Sequence, residues 1–134
     1  MTHQVFLSYS SSNRDREIAR VVALELKKLG VSSFDPSQDL KAGEDWRKSI
    51  LNAIRKTEAL FVFVTEPFAT ASSWMGYEIG TANAFGKNVV VVKSPSISAG
   101  DLPTDLASWR MVDFDPSSPA STARTLASSL AIAA

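Results

Sequence analysis

The sequence predicts a doubly wound α/β domain: a flavodoxin-like five-stranded parallel sheet of order 2-1-3-4-5, with helices on both faces. Three observations predict it. Short β-rich apolar runs alternate with helical patterns along the chain, which implies successive βαβ units. The run Ala59 to Val64 is apolar without a break, as a strand buried on both faces requires. There are five such runs, the number that this strand order accommodates.

Val5-Phe6-Leu7 reads as the first strand, running into a polar turn from Ser8 to Ser12. A helix starts at Asn13: Ile18, Val22, Leu26 and Leu29 recur at helical spacing, and Gly30 occupies the terminating position. Val31 to Phe34 is the second strand, followed by a loop from Asp35 to Glu44 that holds Pro36 and Gly43. A second helix begins near Asp45, with Trp46, Ile50 and Ile54 on one stripe. After the third strand, Ser72 or Ser73 caps a helix that runs to about Phe85 and stops at Gly86. Asn88 to Val92 and Met111 to Phe114 are the last strands, with a loop between Ile97 and Trp109. Ser118-Pro119, a cap followed by proline at the first helical position, opens the final helix.

The 134 residues suit one domain spanning 1–134, either whole or cut from a longer chain. Fourteen basic residues balance fourteen acidic ones, so nothing points to nucleic acid or to an anionic membrane. Cysteine is absent, which excludes disulfides, thiolate catalysis and sulfur-built zinc sites. The single histidine, His3, is expected at a frayed N-terminus, which argues against a Ser-His-Asp triad or a histidine metal cage. No apolar run is long enough to span a bilayer and no signal-peptide pattern is present, so a cytoplasmic protein without metal or cofactor is expected.

Ligands of such sheets bind beyond the carboxyl ends of the strands, where the order reverses. That places Ser8 to Ser12, the Asp35–Glu44 loop and the start of the third long helix around one crevice. The usual occupants fail on the residues. A dinucleotide fold wants a glycine-rich turn after the first strand, and this turn has no glycine; a P-loop is equally missing. A phosphoacceptor receiver wants acids after the first strand, where this chain has serines, and an aspartate ending the third, where it has Thr65-Glu66-Pro67.

The helix around Glu78 is more informative. With Trp74 at zero and about 100° per residue, Phe85, Ala82, Met75 and Ile79 fall at roughly 20°, 80°, 100° and 140°, and Glu78 at roughly 40°. Glu78 therefore sits within an apolar arc, with no lysine or arginine three or four residues away and outside the first turn. A carboxylate in such a place is costly unless a group beyond the helix pairs with it, which makes it a candidate functional residue. The plain alternative is an edge position bonded to a loop amide or a distant arginine.

Three segments carry a resemblance. Val5-Phe6-Leu7-Ser8-Tyr9-Ser10, the stretch Asp35 to Trp46 with Gly43-Glu44-Asp45-Trp46, and Ser73-Trp74-Met75-Gly76-Tyr77-Glu78 are similar, in order and spacing, to motifs of the Toll/interleukin-1 receptor (TIR) domain family. The likeness spans about residues 4 to 115. The last segment resembles the Ser-Trp-x-x-x-Glu pattern of the enzymatic members. The resemblance implies cleavage of the nicotinamide–ribose bond of NAD⁺, which is substrate rather than cofactor, with Glu78 as the catalytic residue. It implies a cytoplasmic role in antiviral defence or immune signalling, and self-association with other TIR domains as partners. Ser8, Tyr9, Ser73, Trp46 and Trp74 are the expected substrate-binding residues. Trp46 and Trp74 serve equally well as core, and Ser73 as a helix cap. Basic residues that follow the first strand in some catalytic members are missing here, which leaves Arg14, Lys41 and backbone amides as candidates to face the pyrophosphate. Two other readings stay open: a TIR–TIR adaptor without catalysis, docking through the Asp35–Glu44 loop, and a nucleoside 2-deoxyribosyltransferase-like enzyme, which Glu78-Ile79-Gly80-Thr81-Ala82 also resembles.

Overall fold

The computed structural model describes residues 3–10, 12–65, 75–98 and 110–133, the side chains of 131–133 excepted. Its strands are β1 (His3–Tyr9), β2 (Val31–Phe34), β3 (Ala59–Val64), β4 (Asn88–Lys93) and β5 (Arg110–Asp113). They form one sheet in the order β2-β1-β3-β4-β5, with every pair parallel, as the sequence predicts. The helices are α1 (Asn13–Lys28), α2 (Pro36–Asp39), α3 (Trp46–Lys56), α4 (Met75–Ala84) and α5 (Pro119–Ala133). Among the described residues, no helix is long and apolar enough to cross a membrane.

Strand periodicity divides the core in two. In β3, Phe61 and Phe63 join Val5, Leu7, Val90 and Val92 on the face covered by α1 and α5, through Val22, Leu26, Leu126 and Leu130. Leu60, Val62 and Val64 turn to the other face, where they meet Phe6, Val89 and Val91 under Ile50 and Ile54 of α3 and Met75 and Ala82 of α4. Burying each of Phe6, Phe61 and Phe63 contributes roughly 1.5–3 kcal/mol. β3 is apolar throughout because both of its faces are covered.

The helix ends follow their local chemistry. The Ser12 side chain accepts the Asp15 amide at the start of α1. Gly86, at φ 69°, closes α4: its amide donates to Asn83 and that of Lys87 to Ala82, the paired bonds that a left-handed residue permits.

Several boundaries differ from expectation. β1 extends from His3 to Tyr9, so Ser8 and Tyr9 are strand residues rather than turn, because parallel pairing with β3 continues to Tyr9 opposite Phe63. His3 is not frayed: it pairs with β2, and its ring meets the Glu58 carboxylate at 2.7 Å. The Asp35–Glu44 segment is not all loop, since Asp35 caps the short α2 with Pro36 in its first turn. α4 is described from Met75, and where it starts lies outside the described residues. The expected cap at Ser72 or Ser73 lies outside the described residues. Phe85 follows the end of α4 and is exposed rather than core, with the Arg55 guanidinium 5.2 Å from its ring centroid.

Candidate functional site

Strand alternation brings the site together. Ser8 follows Phe6 by two positions and so faces the α3/α4 side, where the remaining neighbours are apolar. There it meets Glu78. Ser8 Oγ donates to Glu78 Oε1 at 2.7 Å, with Ser8 1% exposed and Glu78 3% exposed. No cation pairs with Glu78 among the described residues. Burial drives the Glu78 pKa from 4.5 up to about 8; the Ser8 hydrogen bond pulls it down, and the negative charge of Asp35 adds to the rise.

Asp35 is the second buried acid at this end of the sheet. As the cap of α2 it accepts from the Ser37 amide at 3.0 Å and the Ser37 hydroxyl at 2.9 Å. It also accepts from the Tyr9 hydroxyl at 2.6 Å. Burial, reinforced by this bond to Asp35, pushes the Tyr9 pKa up to about 12, so Tyr9 remains a proton-bearing donor at neutral pH.

Asp15 braces the same edge from α1. Fully buried, it accepts from Ser10 Oγ and from both the amide and the hydroxyl of Thr65, the residue that follows β3. One carboxylate thus ties the first turn of α1 to the ends of β1 and β3.

A cavity of about 260 Å³ opens at this edge, with Glu78 in its wall. Leu7, Tyr9 and Ser10 line it from β1 and the turn beyond, and Ser12, Asn13 and Arg16 from the start of α1. Pro36 and Ser37 of α2 and Trp46 of α3 complete it. Trp46 opens α3 and is 39% exposed, so the stripe it shares with Ile50 and Ile54 ends at the cavity mouth rather than in the core.

Of the residues expected from sequence, Glu78, Tyr9 and Trp46 meet in this wall. Ser8 does not line it; it stands behind Glu78 and holds one of its oxygens. Ser73 and Trp74 lie outside the described residues. Arg14 and Lys41 are exposed and do not line the cavity, whereas Arg16 does. Sequence reasoning missed Arg16, although Asn13 and Arg16 stand one turn apart immediately after the cap.

A small parallel α/β domain with a buried acid beside a cavity at the strands' carboxyl ends defines the class. The TIR domain profile matches residues 5–127, and the chain belongs to that family. It is similar to the TIR domains in the activated Roq1 resistosome that directly recognises the pathogen effector XopQ, with TM-score 0.72 and 14% identity over 96% of this chain and 99% of that one. A prokaryotic SEFIR domain is similar at TM-score 0.65 and 19% identity, over 96% of this chain and 92% of the other. The CMP N-glycosidase BcmB of Clostridium botulinum is similar at TM-score 0.59 and 16% identity, over 92% and 98%. At these identities the likeness is one of fold. No curated protein matches the sequence.

Proposed function

We propose that this TIR domain cleaves the nicotinamide–ribose bond of NAD⁺, with Glu78 as the catalytic residue. The observation that carries the reading is a carboxyl group 3% exposed, without a cationic partner among the described residues, in the wall of a cavity at the sheet's carboxyl edge.

The chemistry needs little else. Most glycosidases use two acids because the leaving group must be protonated. In NAD⁺ the bond from C1′ to the pyridinium nitrogen breaks with its electron pair going to nitrogen, so nicotinamide departs neutral and needs no proton. The positive charge moves to the ribose, and a carboxylate held in a poorly hydrated wall stabilises it most strongly there. Ser8 fixes one oxygen of Glu78, and the other is assigned to the ribose hydroxyls. Water then adds at C1′, and its proton passes to Glu78 or to solvent. Trp46 packs against the nicotinamide end, and Tyr9, whose proton goes to Asp35, offers its hydroxyl oxygen as an acceptor. The carboxylate is the working form, so kcat/KM is expected to rise with pH and level off above about 8. Self-association belongs to the same proposal, since the similar Roq1 TIR domains come from a resistosome.

The test is nicotinamide release from NAD⁺ by the wild type and by Glu78→Gln, each alone and fused to an oligomerising partner. Glu78→Gln is expected to lose at least about a hundredfold in turnover with its fold intact. Wild-type turnover by that variant overturns the role of Glu78. A wild type silent in every form overturns the enzymatic reading and leaves a TIR–TIR binding module.

A further inference from the structure

A second cavity, of about 340 Å³, lies on the α3 side of the sheet and shares no lining residue with the first. Its volume falls within the ~300–1,000 Å³ of sites that enclose small ligands. Ser49, Asn52, Ala53 and Lys56 form its α3 wall, spaced as one stripe of that helix. The floor is apolar: Phe34, stacked on buried Phe6 with ring centroids 5.3 Å apart, and Leu40 pack against the core beneath. Gln4 precedes Phe6 by two positions in β1 and so faces the same side, an amide at the end of a row that is otherwise core. Opposite charges stand at the two ends. Asp39 and Glu44 come from α2 and the loop after it, where Ser49 Oγ donates to Glu44 at 2.8 Å. Lys56 lies seven residues beyond Ser49 on α3, about 10 Å away at ~1.5 Å per residue.

These groups have capacity to spare. One oxygen of Asp39 accepts from the Asp35 amide at 2.8 Å, and the other has no partner among the described residues. The side chains of Gln4, Asn52 and Lys56 have none there either. The dipole of α3 accounts for an acid before its start and a lysine at its end. It does not account for two free amides set between them around an apolar floor. We propose that this cavity is a regulatory site for a small zwitterion. The cationic end meets Asp39 and Glu44, an apolar stem lies on Phe34 and Leu40, and a carboxylate takes donors from Lys56, Gln4 and Asn52. α2 links the two cavities: Pro36 and Ser37 line the first, and Asp39 the second. Asp35, whose amide Asp39 holds, also accepts from the Tyr9 hydroxyl in the wall of the first cavity. A cation drawn onto Asp39 therefore acts on the segment that shapes the first cavity.

The ligand site stands on its own geometry, and only what it regulates rests on the proposed activity. The test is therefore binding rather than turnover, and its failure leaves the role of Glu78 intact. Backbone amide shifts are followed by NMR as 6-aminohexanoic acid, hexylamine and hexanoate are titrated into wild type, Lys56→Gln and Asp39→Asn. The zwitterion is expected to bind at least about tenfold tighter than either half, moving the amides of Gln4 and Asn52 and, through α2, those of Ser37 and Tyr9. Lys56→Gln, at an exposed helix end, is expected to erase the advantage over hexylamine. Asp39→Asn, whose amide oxygen still accepts from Asp35, is expected to erase the advantage over hexanoate. Equal binding of the three probes, an advantage that both variants keep, or no binding overturns the site. Shifts that stop short of Ser37 and Tyr9 overturn its regulatory reach.

Discussion

Replacing Glu78 by glutamine is expected to stabilise the fold, increasingly so as pH rises. The carboxyl titrates at 4.5 as an ordinary glutamate and at about 8 in the folded protein. Between these values the folded chain holds a proton that the unfolded chain has released, so stability falls with rising pH across that window and levels off above it. Each pH unit within it is worth about 1.4 kcal/mol, which comes to about 3 kcal/mol at pH 7 and roughly 5 when Glu78 is fully ionised. Glutamine fills nearly the same space, still accepts from Ser8 and carries no charge to desolvate. Urea unfolding of wild type and Glu78→Gln from pH 4 to pH 9 reads the effect, because the two proteins differ in this one ionisable group. The two unfolding free energies are expected to converge near pH 4 and to separate by several kcal/mol at pH 9, with the variant the more stable. A difference that does not change with pH would refute the reasoning, since it would mean that Glu78 reaches water freely in the folded state.

Two further outcomes follow from the same edge of the sheet. Ser8→Ala removes the one bond among the described residues that lowers the Glu78 pKa, so the rising limb of kcat/KM is expected to move to higher pH; a limb that stays in place would show that Ser8 does not govern the ionisation of Glu78. Asp15→Asn puts an amide donor in place of one of the two oxygens to which Ser10 and Thr65 donate, and is expected to cost about 3 kcal/mol, read as a lower urea midpoint at unchanged m-value.

How far the fold could be read in advance depended on whether the signal was local. β3 was legible because burial on both faces leaves an unbroken apolar run, and α1 because its stripe, cap and terminal glycine agree. The end of β1 was not, since Ser8 and Tyr9 look like turn residues until their partners are known: Glu78 lies 70 positions away and Asp35 26. α2 was missed because it has four residues and no apolar stripe, although Asp35-Pro36 repeats the cap-then-proline pattern that revealed α5. Glu78 stood out by its misplaced charge, which periodicity alone exposes. Arg16 did not, because an arginine on the first turns of an amphipathic helix is unremarkable until the sheet fixes which way that turn faces.

The same energetics bear on why an acid occupies position 78. Neither methionine nor glutamine there would carry the penalty of about 3 kcal/mol that Glu78 imposes at pH 7, a large part of the ~5–15 kcal/mol by which domains are stable. That penalty is already net of the Ser8 hydrogen bond, its one bond among the described residues, which a glutamine would retain. The helix start does not explain the residue either, because the dipole's favour of ~0.3–1 kcal/mol is smaller than the penalty. Asp15 provides the contrast. It too is buried, but it accepts three hydrogen bonds and joins three elements, so its structural work accounts for its presence. Among the described residues Glu78 joins only two, at a net loss that grows with pH. An acid that weakens the fold where it stands, beside a cavity with a cation in the same wall, supports the proposal that Glu78 serves what enters that cavity rather than the fold around it.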